Sequence, residues 1–449
     1  MSLITSDRLA IVVGLGQTGL SVVRHLVRTG RRFAIADTRE HPPGLEEVQQ
    51  LAPDAAIKLG PLDPGFLSAA SEIYLSPGVA KSEPAVVAAV KQGVKLSGDI
   101  DLFCQQISAP VVAITGSNAK STVTTLVADM ARKAGVDVAL GGNIGVPVLD
   151  LLEQPEKELY VLELSSFQLE TTHDLRAKVA TVLNISPDHM DRYDSVQDYY
   201  LAKHRIFRGC EHVVVNAEDP LSRPLMREGV TEAEFTTAKP DLKQFGLLEV
   251  DGKQWLAKGF EKLLPLDEMK IKGQHNAANA MAAIALGEAV GLGLEPMLAA
   301  LREFPGLKHR CQWVAEKQGV LYFNDSKGTN VGATVAALNG LGGALAADQK
   351  IVLIAGGDGK GASFEELNEP VKNFVRGMVL IGRDSPVIEA EVACVSTVKA
   401  TDMDDAVSKA AGLAEEGDLV LLSPACASFD MYSGYPERGD KFVEAVNRV

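Results

Sequence analysis

Residues 111–122, Val-Val-Ala-Ile-Thr-Gly-Ser-Asn-Ala-Lys-Ser-Thr, limit what this chain can become more than any other stretch. The β-branched and apolar run predicts a buried strand, Gly-Ser-Asn a tight loop, and residues 122–130 a helix. A strand turning through a short loop into a helix aims several backbone N–H groups at one point. An anion there is held by those donors and by the positive end of the helix dipole. Gly116, Ser117, Asn118 and Ala119 would line such a phosphate loop and Lys120 would reach the outer phosphates. Ser121 and Thr122 bring hydroxyls to the helix start, the first of them suited to Mg2+. The general pattern G-x-x-x-x-G-K-[ST] is not met, because Ile114 and Ala119 occupy its glycine positions. If position 119 needs φ > 0, alanine costs about 1 kcal/mol there against glycine. The competing reading is a helix that opens with Gly-Ser-Asn and a solvated Lys120; the strand before the loop disfavours it.

The N-terminal third repeats the strand–loop–helix layout. Residues 9–13 predict a strand, 14–19 spell Gly-Leu-Gly-Gln-Thr-Gly, and 33–37 predict a second strand ending on Asp37. This G-x-G-x-x-G with an acid about 20 residues on outlines a Rossmann mononucleotide unit, and taken alone it supports a nicotinamide or flavin enzyme. Two further strands are predicted at 56–59 and 72–75. The second runs into Ser76-Pro77-Gly78-Val79, which either approaches a diphosphate closely or is plain turn chemistry. The pattern breaks around residues 96–99, and the first domain boundary is placed there.

Past the phosphate loop, residues 159–163 predict a buried strand ending on Glu163, with Ser165, Ser166 and Gln168 behind it. A carboxylate at the C-terminal end of a strand beside a phosphate loop is well placed for Mg2+. A strand at 179–186 delivers Asp188 and His189 to the same edge; taken by itself His189 is as readily a capping or packed histidine. Lys203 falls on a predicted helix at 198–207, where the sequence alone favours a surface lysine. Residues 211–270 are strand-rich. Asn276 and Asn279 share the first turn of an Ala-rich helix, and Asn276 could be its N-cap.

Four motifs stand in order: Thr-Gly-Ser-Asn-Ala-Lys-Ser, Gly-Asn-Ile-Gly at 142–145, Leu-Glu-Leu-Ser-Ser-Phe-Gln-Leu at 162–169, and Asn-Ile-Ser-Pro-Asp-His-Met-Asp-Arg at 184–192. Together they resemble the Mur ligases, most closely the members that add D-glutamate, with Ala119 for glycine as the one departure in the phosphate loop. The resemblance extends through the chain. It implies an α/β protein of three domains: a Rossmann-like N-terminal domain at 1–98 for the UDP substrate, a central P-loop ATPase-like parallel-sheet domain at 99–306, and a Rossmann-like C-terminal domain at 307–449 for the amino acid. Lys120 and Ser121 would bind ATP phosphates and a first Mg2+, with Glu163 as a further ligand. His189 would ligate a second Mg2+. Lys203 would be carbamylated by CO2, turning a cation into a metal-binding anion. Asn143 and Ser165 would contact phosphates or the first substrate, and Asn279 the nucleotide.

In the C-terminal third, residues 304–310, Phe-Pro-Gly-Leu-Lys-His-Arg, predict a hinge, and Arg310 has the fork that matches phosphate oxygens. Strands are predicted around 321–324, 350–355, 378–382 and 418–422. By the resemblance, Asp325 holds the ATP ribose, and Lys327 and Thr329 lie near the phosphate and the amino acid. Lys360, Ser428 and Phe429 join Thr329 around the amino-acid carboxylates, and Tyr435 belongs to the same signature. Cys426 is expected to be a buried small residue and not a nucleophile.

These roles imply an ATP-dependent ligase that joins D-glutamate to UDP-N-acetylmuramoyl-L-alanine through an acyl phosphate and a tetrahedral intermediate, in peptidoglycan precursor synthesis. The N-terminal fingerprint then serves UDP, with Gly16, Gln17, Thr18, Asp37, Thr38, Arg39, Ser76 and Gly78 near uracil and diphosphate. The cofactors are ATP and two Mg2+ ions. The alternatives are a related Mur-type or folylpolyglutamate-type ligase for another amino acid, an oxidoreductase using the N-terminal unit, and a non-catalytic nucleotide switch. The oxidoreductase leaves the phosphate loop and Glu163 unexplained. A net charge of −15 argues against nucleic acid and anionic membrane surfaces as partners. Five scattered Cys without C-x-x-C suggest neither a disulfide framework nor a thiolate zinc site. No signal peptide or membrane span is read, so a cytoplasmic, bacterial monomer acting on small molecules is expected.

Overall fold

Three β-sheets follow one another along the chain in the computed structural model, which describes residues 9–343, 345–346 and 348–449. The described chain forms two units. The first comprises residues up to 184 with 197–235 and 282–300; the second comprises 185–196, 236–281 and 301–449.

In the first unit, β1 (Ala10–Val13), β2 (Phe33–Asp37), β3 (Ile57–Leu59), β4 (Glu72–Leu75) and β5 (Lys95–Ser97) form a parallel sheet in the order β3-β2-β1-β4-β5. Ala10, Ile11, Val12 and Val13 are all 0% exposed, as expected for a strand with both sheet faces covered. The short edge strand β5 occupies the place where the sequence pattern breaks; three residues are too few to show a period. Strand order reverses between β1 and β4, so their C-terminal loops flank the crevice where open α/β sheets bind ligands.

The same unit holds β6 (Val111–Thr115), β7 (Val138–Gly142), β8 (Leu159–Glu163), β9 (Val179–Val182), β10 (His212–Asn216) and β11 (Thr231–Phe235). They run parallel in the order β11-β10-β9-β6-β8-β7, which puts β6 at the centre. The two sheet layers are tied by charge. Arg24, on the helix Gln17–Arg28, donates to Asp150 at 3.1 and 2.6 Å and to Glu47 at 2.6 Å, and Arg28 donates to the Leu149 carbonyl at 3.0 Å.

In the second unit, β12 (Phe245–Val250), β13 (Lys253–Lys258) and β14 (Glu261–Pro265) are antiparallel neighbours. The strands β15 (Gln312–Lys317), β16 (Val320–Asn324), β17 (Ile351–Ala355), β18 (Val375–Leu380), β19 (Ser396–Lys399) and β20 (Leu419–Leu422) build a sheet in the order β15-β16-β20-β17-β18-β19. Only β15 is antiparallel. Apolar clusters cover both faces of this sheet, one around Leu353, Leu380 and Leu421 and the other around Val352, Val379 and Phe442. The last strand, β20, inserts between β16 and β17, so the loops after all three emerge side by side at one sheet edge.

Candidate active site

The phosphate loop leaves β6 and enters the helix Lys120–Lys133. Gly116 has φ +153, and a Cβ there would meet Leu183 at 3.2 Å. Ala119 caps the helix with φ 64 and ψ −6, so the position that departs from glycine does require the left-handed region. Lys120 Nζ donates to the carbonyls of Gly116 and Ser117, both at 2.8 Å, which holds the ammonium over its own loop. Asn184 braces the loop from β9: its side-chain oxygen accepts from Asn118 N–H at 2.8 Å and its carbonyl from Ser117 N–H at 2.9 Å. Ser121 and Thr122 are buried in the first helical turn.

Glu163 ends β8 and is 2% exposed. Its Oε1 accepts from Asn143 Nδ2 at 2.7 Å, and its Oε2 is buried with no hydrogen-bond partner among the described residues. Asn143 is fixed by its own N–H donating to the Glu163 carbonyl at 2.8 Å. Gly142 lets the two chains approach, since a Cβ there would sit 2.3 Å from that carbonyl oxygen. A buried carboxylate oxygen without a donor fits a hard cation that takes oxygen ligands. Among the described residues no group of three or more His, Cys, Asp or Glu could hold a metal. Mg2+ needs no such cage, because it keeps waters and substrate phosphates.

Ser165 is the N-cap of the helix Ser166–Glu170 in a capping box with Gln168. Gln168 Nε2 in turn donates to Asp99 Oδ2 at 3.3 Å, and burial pushes the Asp99 carboxyl up to about 6. Lys203 corrects the surface expectation. It lies on the helix Val196–His204 and is 1% exposed, donating to the Gly116 carbonyl at 2.9 Å with its ammonium 4.7 Å from the centre of the Tyr199 ring. Tyr199 Oη also lies 3.0 Å from Ser117 Oγ, so one helix face reaches the phosphate loop twice.

At the N-terminal crevice, Gly16, Gln17 and Thr18 form the entry to the helix Gln17–Arg28. A Cβ on Gly16 would meet nothing within 4 Å, whereas one on Gly19 would lie 1.8 Å from the Gly14 carbonyl oxygen. The third glycine of the fingerprint is therefore the one that packs helix on strand. Asp37 is 1% exposed and accepts from Leu15 N–H at 2.6 Å and from the Arg39 backbone at 2.9 Å and guanidinium at 2.7 Å. Burial would raise its carboxyl, but Arg39 and the two backbone donors outweigh that and lower it. Thr38 and Arg39 are exposed beside it. Ser76 Oγ donates to the Gly14 carbonyl at 2.7 Å, joining the loops after β1 and β4, and Gly78 has open space around it.

In the second unit, His189 has φ 58 and its N–H donates to Asp188 Oδ1 at 2.9 Å. Asp188 also accepts from Lys360 Nζ at 2.5 Å and Asn330 Nδ2 at 3.1 Å. Burial would raise the Asp188 carboxyl; Lys360, His189 and Asn330 more than offset this and hold it at about 2. Asp325 follows β16 and accepts from Ser423 Oγ at 2.7 Å and Cys311 N–H at 3.1 Å, and burial lifts its carboxyl to about 6. Arg310, the residue before Cys311, acts electrostatically on Asp325 and works against that rise. Lys327 lies 3.8 Å from the centroid of the Tyr435 ring, and Thr329 N–H donates to the Lys327 carbonyl. The Lys360 loop pairs with the Ser428 loop through Asp358 and Ala427, each donating to the other at 3.0 and 2.8 Å. Ser428 is buried, Phe429 is 75% exposed, and Cys426 is fully buried with its thiol pushed up to about 12. Asn279 Nδ2 donates to Asn276 Oδ1 at 3.2 Å; Asn276 is the third residue of the helix Gln274–Ala289 and donates its amide to the Lys272 carbonyl, so it is not the N-cap.

Comparison with known proteins gives matches over most of the chain. The Mur ligase middle domain matches residues 114–287, the MurD-like N-terminal domain of Mur ligases residues 8–98, and the glutamate ligase domain of Mur ligases residues 309–426. The UDP-N-acetylmuramoylalanine--D-glutamate ligase of Pseudomonas aeruginosa is 57% identical over 450 residues, 100% of each chain. The chain belongs to the Mur ligase family. The protein of the same description from Hahella chejuensis is 53% identical to this Mur ligase over 450 residues, again 100% of each chain. Among solved structures, MurF from Acinetobacter baumannii matches with a TM-score of 0.62 at 17% identity, covering 97% of this chain and 90% of that one. The UDP-N-acetylmuramate-alanine ligase of Thermotoga maritima has a TM-score of 0.60 at 20% identity, covering 98% and 100%. At such identities the likeness concerns the three-domain α/β fold.

Two groups in this Mur ligase escape a sequence reading focused on ligands. Asn184 braces the phosphate loop from 66 residues away, and its sequence signal is its place in the Asn-Ile-Ser-Pro-Asp-His motif. Arg438 is 1% exposed, and its guanidinium donates to Ser326 Oγ and the carbonyls of Ser326, Cys426 and Ala427 at 2.8 to 3.2 Å. It pins the loops after β16 and β20 to each other. An arginine on an amphipathic C-terminal helix gives no hint of such burial.

Proposed function

We propose that this Mur ligase joins D-glutamate to UDP-N-acetylmuramoyl-L-alanine at the expense of ATP, in peptidoglycan precursor synthesis. The observation that carries this is 57% identity to a UDP-N-acetylmuramoylalanine--D-glutamate ligase across the whole of both chains. A carboxylate and an ammonium ion do not condense unaided in water. The terminal carboxylate of the UDP substrate attacks the γ-phosphorus of ATP and ADP departs, leaving an acyl phosphate. The free amine of D-glutamate attacks the acyl carbon, and the tetrahedral intermediate collapses to the amide as phosphate leaves.

The loop 116–119, with Lys120, Ser121 and Thr122, binds the ATP phosphates; Arg310 and Lys327 neutralise charge on the transferring group, and Asn279 and Asp325 bind the nucleoside. Gly16, Gln17, Thr18, Asp37, Thr38, Arg39, Ser76 and Gly78 receive the UDP moiety, with Asn143 and Ser165 toward its reacting end. Thr329, Lys360, Ser428, Phe429 and Tyr435 receive D-glutamate. The buried Glu163 Oε2, without a partner among the described residues, supports Glu163 as a holder of a first Mg2+, with Ser121 at the helix start as its second ligand. His189 and a carbamylated Lys203 would hold a second. Bound Mg2+ supplies positive charge to the phosphoryl group in transfer. Carbamylation forms a bond from a neutral lysine nitrogen to CO2 and releases a proton; mass spectrometry of the enzyme in bicarbonate would register the added CO2.

The domains are assigned to 1–98, 99–306 and 307–449. No helix among the described residues is long and apolar enough to cross a membrane. Bacterial relatives and nucleotide-linked substrates support a bacterial cytoplasmic enzyme, acting as a monomer. The deciding assay is phosphate release with ATP and UDP-N-acetylmuramoyl-L-alanine against a panel of L- and D-amino acids. Release with D-glutamate above all others is expected; no release, or release with another amino acid, refutes the assignment.

A further inference from the structure

Lys360, the cation assigned above to an amino-acid carboxylate, already has a carboxylate. Its Nζ lies 2.5 Å from Asp188 Oδ1, across 172 residues of sequence, and the side chains are 19% and 9% exposed. Asp188 is held on its other side by Asn330 Nδ2 at 3.1 Å, and Asn330 is itself fixed because its Oδ1 caps the helix Val331–Gly342 through Ala333 N–H at 2.8 Å. His189 N–H donates to Asp188 from a left-handed backbone position, φ 58, and Lys360 also sits at φ 53. Asp188 is thus held by bonds that do not depend on the pair, and the Lys360 backbone is fixed by its own N–H donating to Asp358 Oδ1 at 3.0 Å.

An acid that took Lys360 from Asp188 would leave a largely buried carboxylate without its lysine, facing the Asn330 amide, the His189 N–H and, at 3.6 Å, the His189 imidazole. Removing one member of a buried pair is strongly unfavourable, because the remaining charge is uncompensated. An amino acid avoids this, since it brings an ammonium together with its carboxylates. We propose that Asp188 exchanges partners on substrate binding: a carboxylate of the amino acid takes Lys360 while its ammonium takes Asp188. The exchange is neutral in charge, and it sets the nitrogen that will attack beside the loop carrying His189. Asp188 is then a specificity residue that favours an amino acid over a plain dicarboxylic acid of the same length. The proposal rests on the assignment of Lys360 to amino-acid binding.

The test is calorimetric binding to the full chain in the presence of UDP-N-acetylmuramoyl-L-alanine and a non-hydrolysable ATP analogue with Mg2+. The probes are D-glutamate, (R)-2-hydroxyglutarate and glutarate. The native protein is expected to bind D-glutamate at least tenfold more tightly than either acid lacking the ammonium; equal binding overturns the exchange without any mutant. In Asp188→Asn the preference for D-glutamate over glutarate is expected to shrink at least fivefold, with glutarate binding more tightly than to the native protein. An unchanged preference, or equal weakening of both ligands, would mean that the pair only staples two loops together. Lys360→Met separates the two layers of the argument. Loss of binding of every probe supports the assignment of Lys360, whereas native affinity for D-glutamate refutes that assignment and the exchange with it.

Discussion

Asn143 donates to one oxygen of Glu163 at 2.7 Å, and the other oxygen is buried with no donor among the described residues. A structural carboxylate would not be left so, because an unsatisfied buried group costs about 1–3 kcal/mol. Glu163→Gln keeps the acceptor for Asn143 and removes the negative charge. Turnover is expected to fall at least about 100-fold, while the thermal unfolding temperature stays level or rises. Affinity for the UDP substrate should stay within a few-fold of native in this variant and in Lys120→Ala. Steady-state phosphate release, calorimetry and a thermal melt check these outcomes; a lower melting temperature with native turnover would make Glu163 a structural residue.

Ala119 sits in the left-handed region at φ 64, where a Cβ crowds the following carbonyl at a cost of about 1–2 kcal/mol. Ala119→Gly is expected to stabilise the protein by about 1 kcal/mol and retain activity. Urea unfolding measures this, and a destabilised variant would mean that the helix start tolerates alanine without strain.

Glu72 binds Arg31 and Lys95 at 2.7 Å and accepts from Tyr74 and Ser97 at 2.8 Å. Burial would raise its carboxyl; Lys95, Arg31, Tyr74 and Ser97 outweigh burial and lower it to about 2. The folded value lies below the unfolded one, about 4.3. The contribution to stability is therefore fully present above that unfolded value and is lost as the pH falls toward about 2. Native protein should lose stability more steeply than Glu72→Gln between about pH 5 and 2.5. Parallel stability–pH curves for the two proteins would remove Glu72 from the acid response.

Gly19 offers a purely steric test, since an added Cβ would lie 1.8 Å from the Gly14 carbonyl oxygen. Gly19→Ala is expected to cost about 2 kcal/mol or more and to weaken UDP-substrate binding by displacing the loop. Gly16→Ala, with open space around its Cβ, should keep native stability. Chemical unfolding of the two variants side by side checks the contrast, and equal stability would show that helix and strand can separate without penalty.

Most central strands and both glycine-rich loops could be read directly, because a buried parallel strand is a continuous apolar run and the loop behind it is contiguous with it. Edge strands were harder. β5 and β19 have three and four residues, too few to show a period, and β15 alternates only loosely, with Trp313 exposed on it.

The order of the motifs identified the family and the chemistry, because each motif is a local segment whose residues act within one turn of chain. Burial and partnership are properties of packing and could not be read that way. Lys203 looks like a surface lysine until its helix is laid against β6 and its ammonium meets the Gly116 carbonyl. Glu163 is a strand-end acid in sequence, and only Asn143, 20 residues away, reveals which of its oxygens is left over. Asp188 and Lys360 stand 172 residues apart, so their pairing follows from how the loops after β9 and β17 are folded together and from no pattern along the chain.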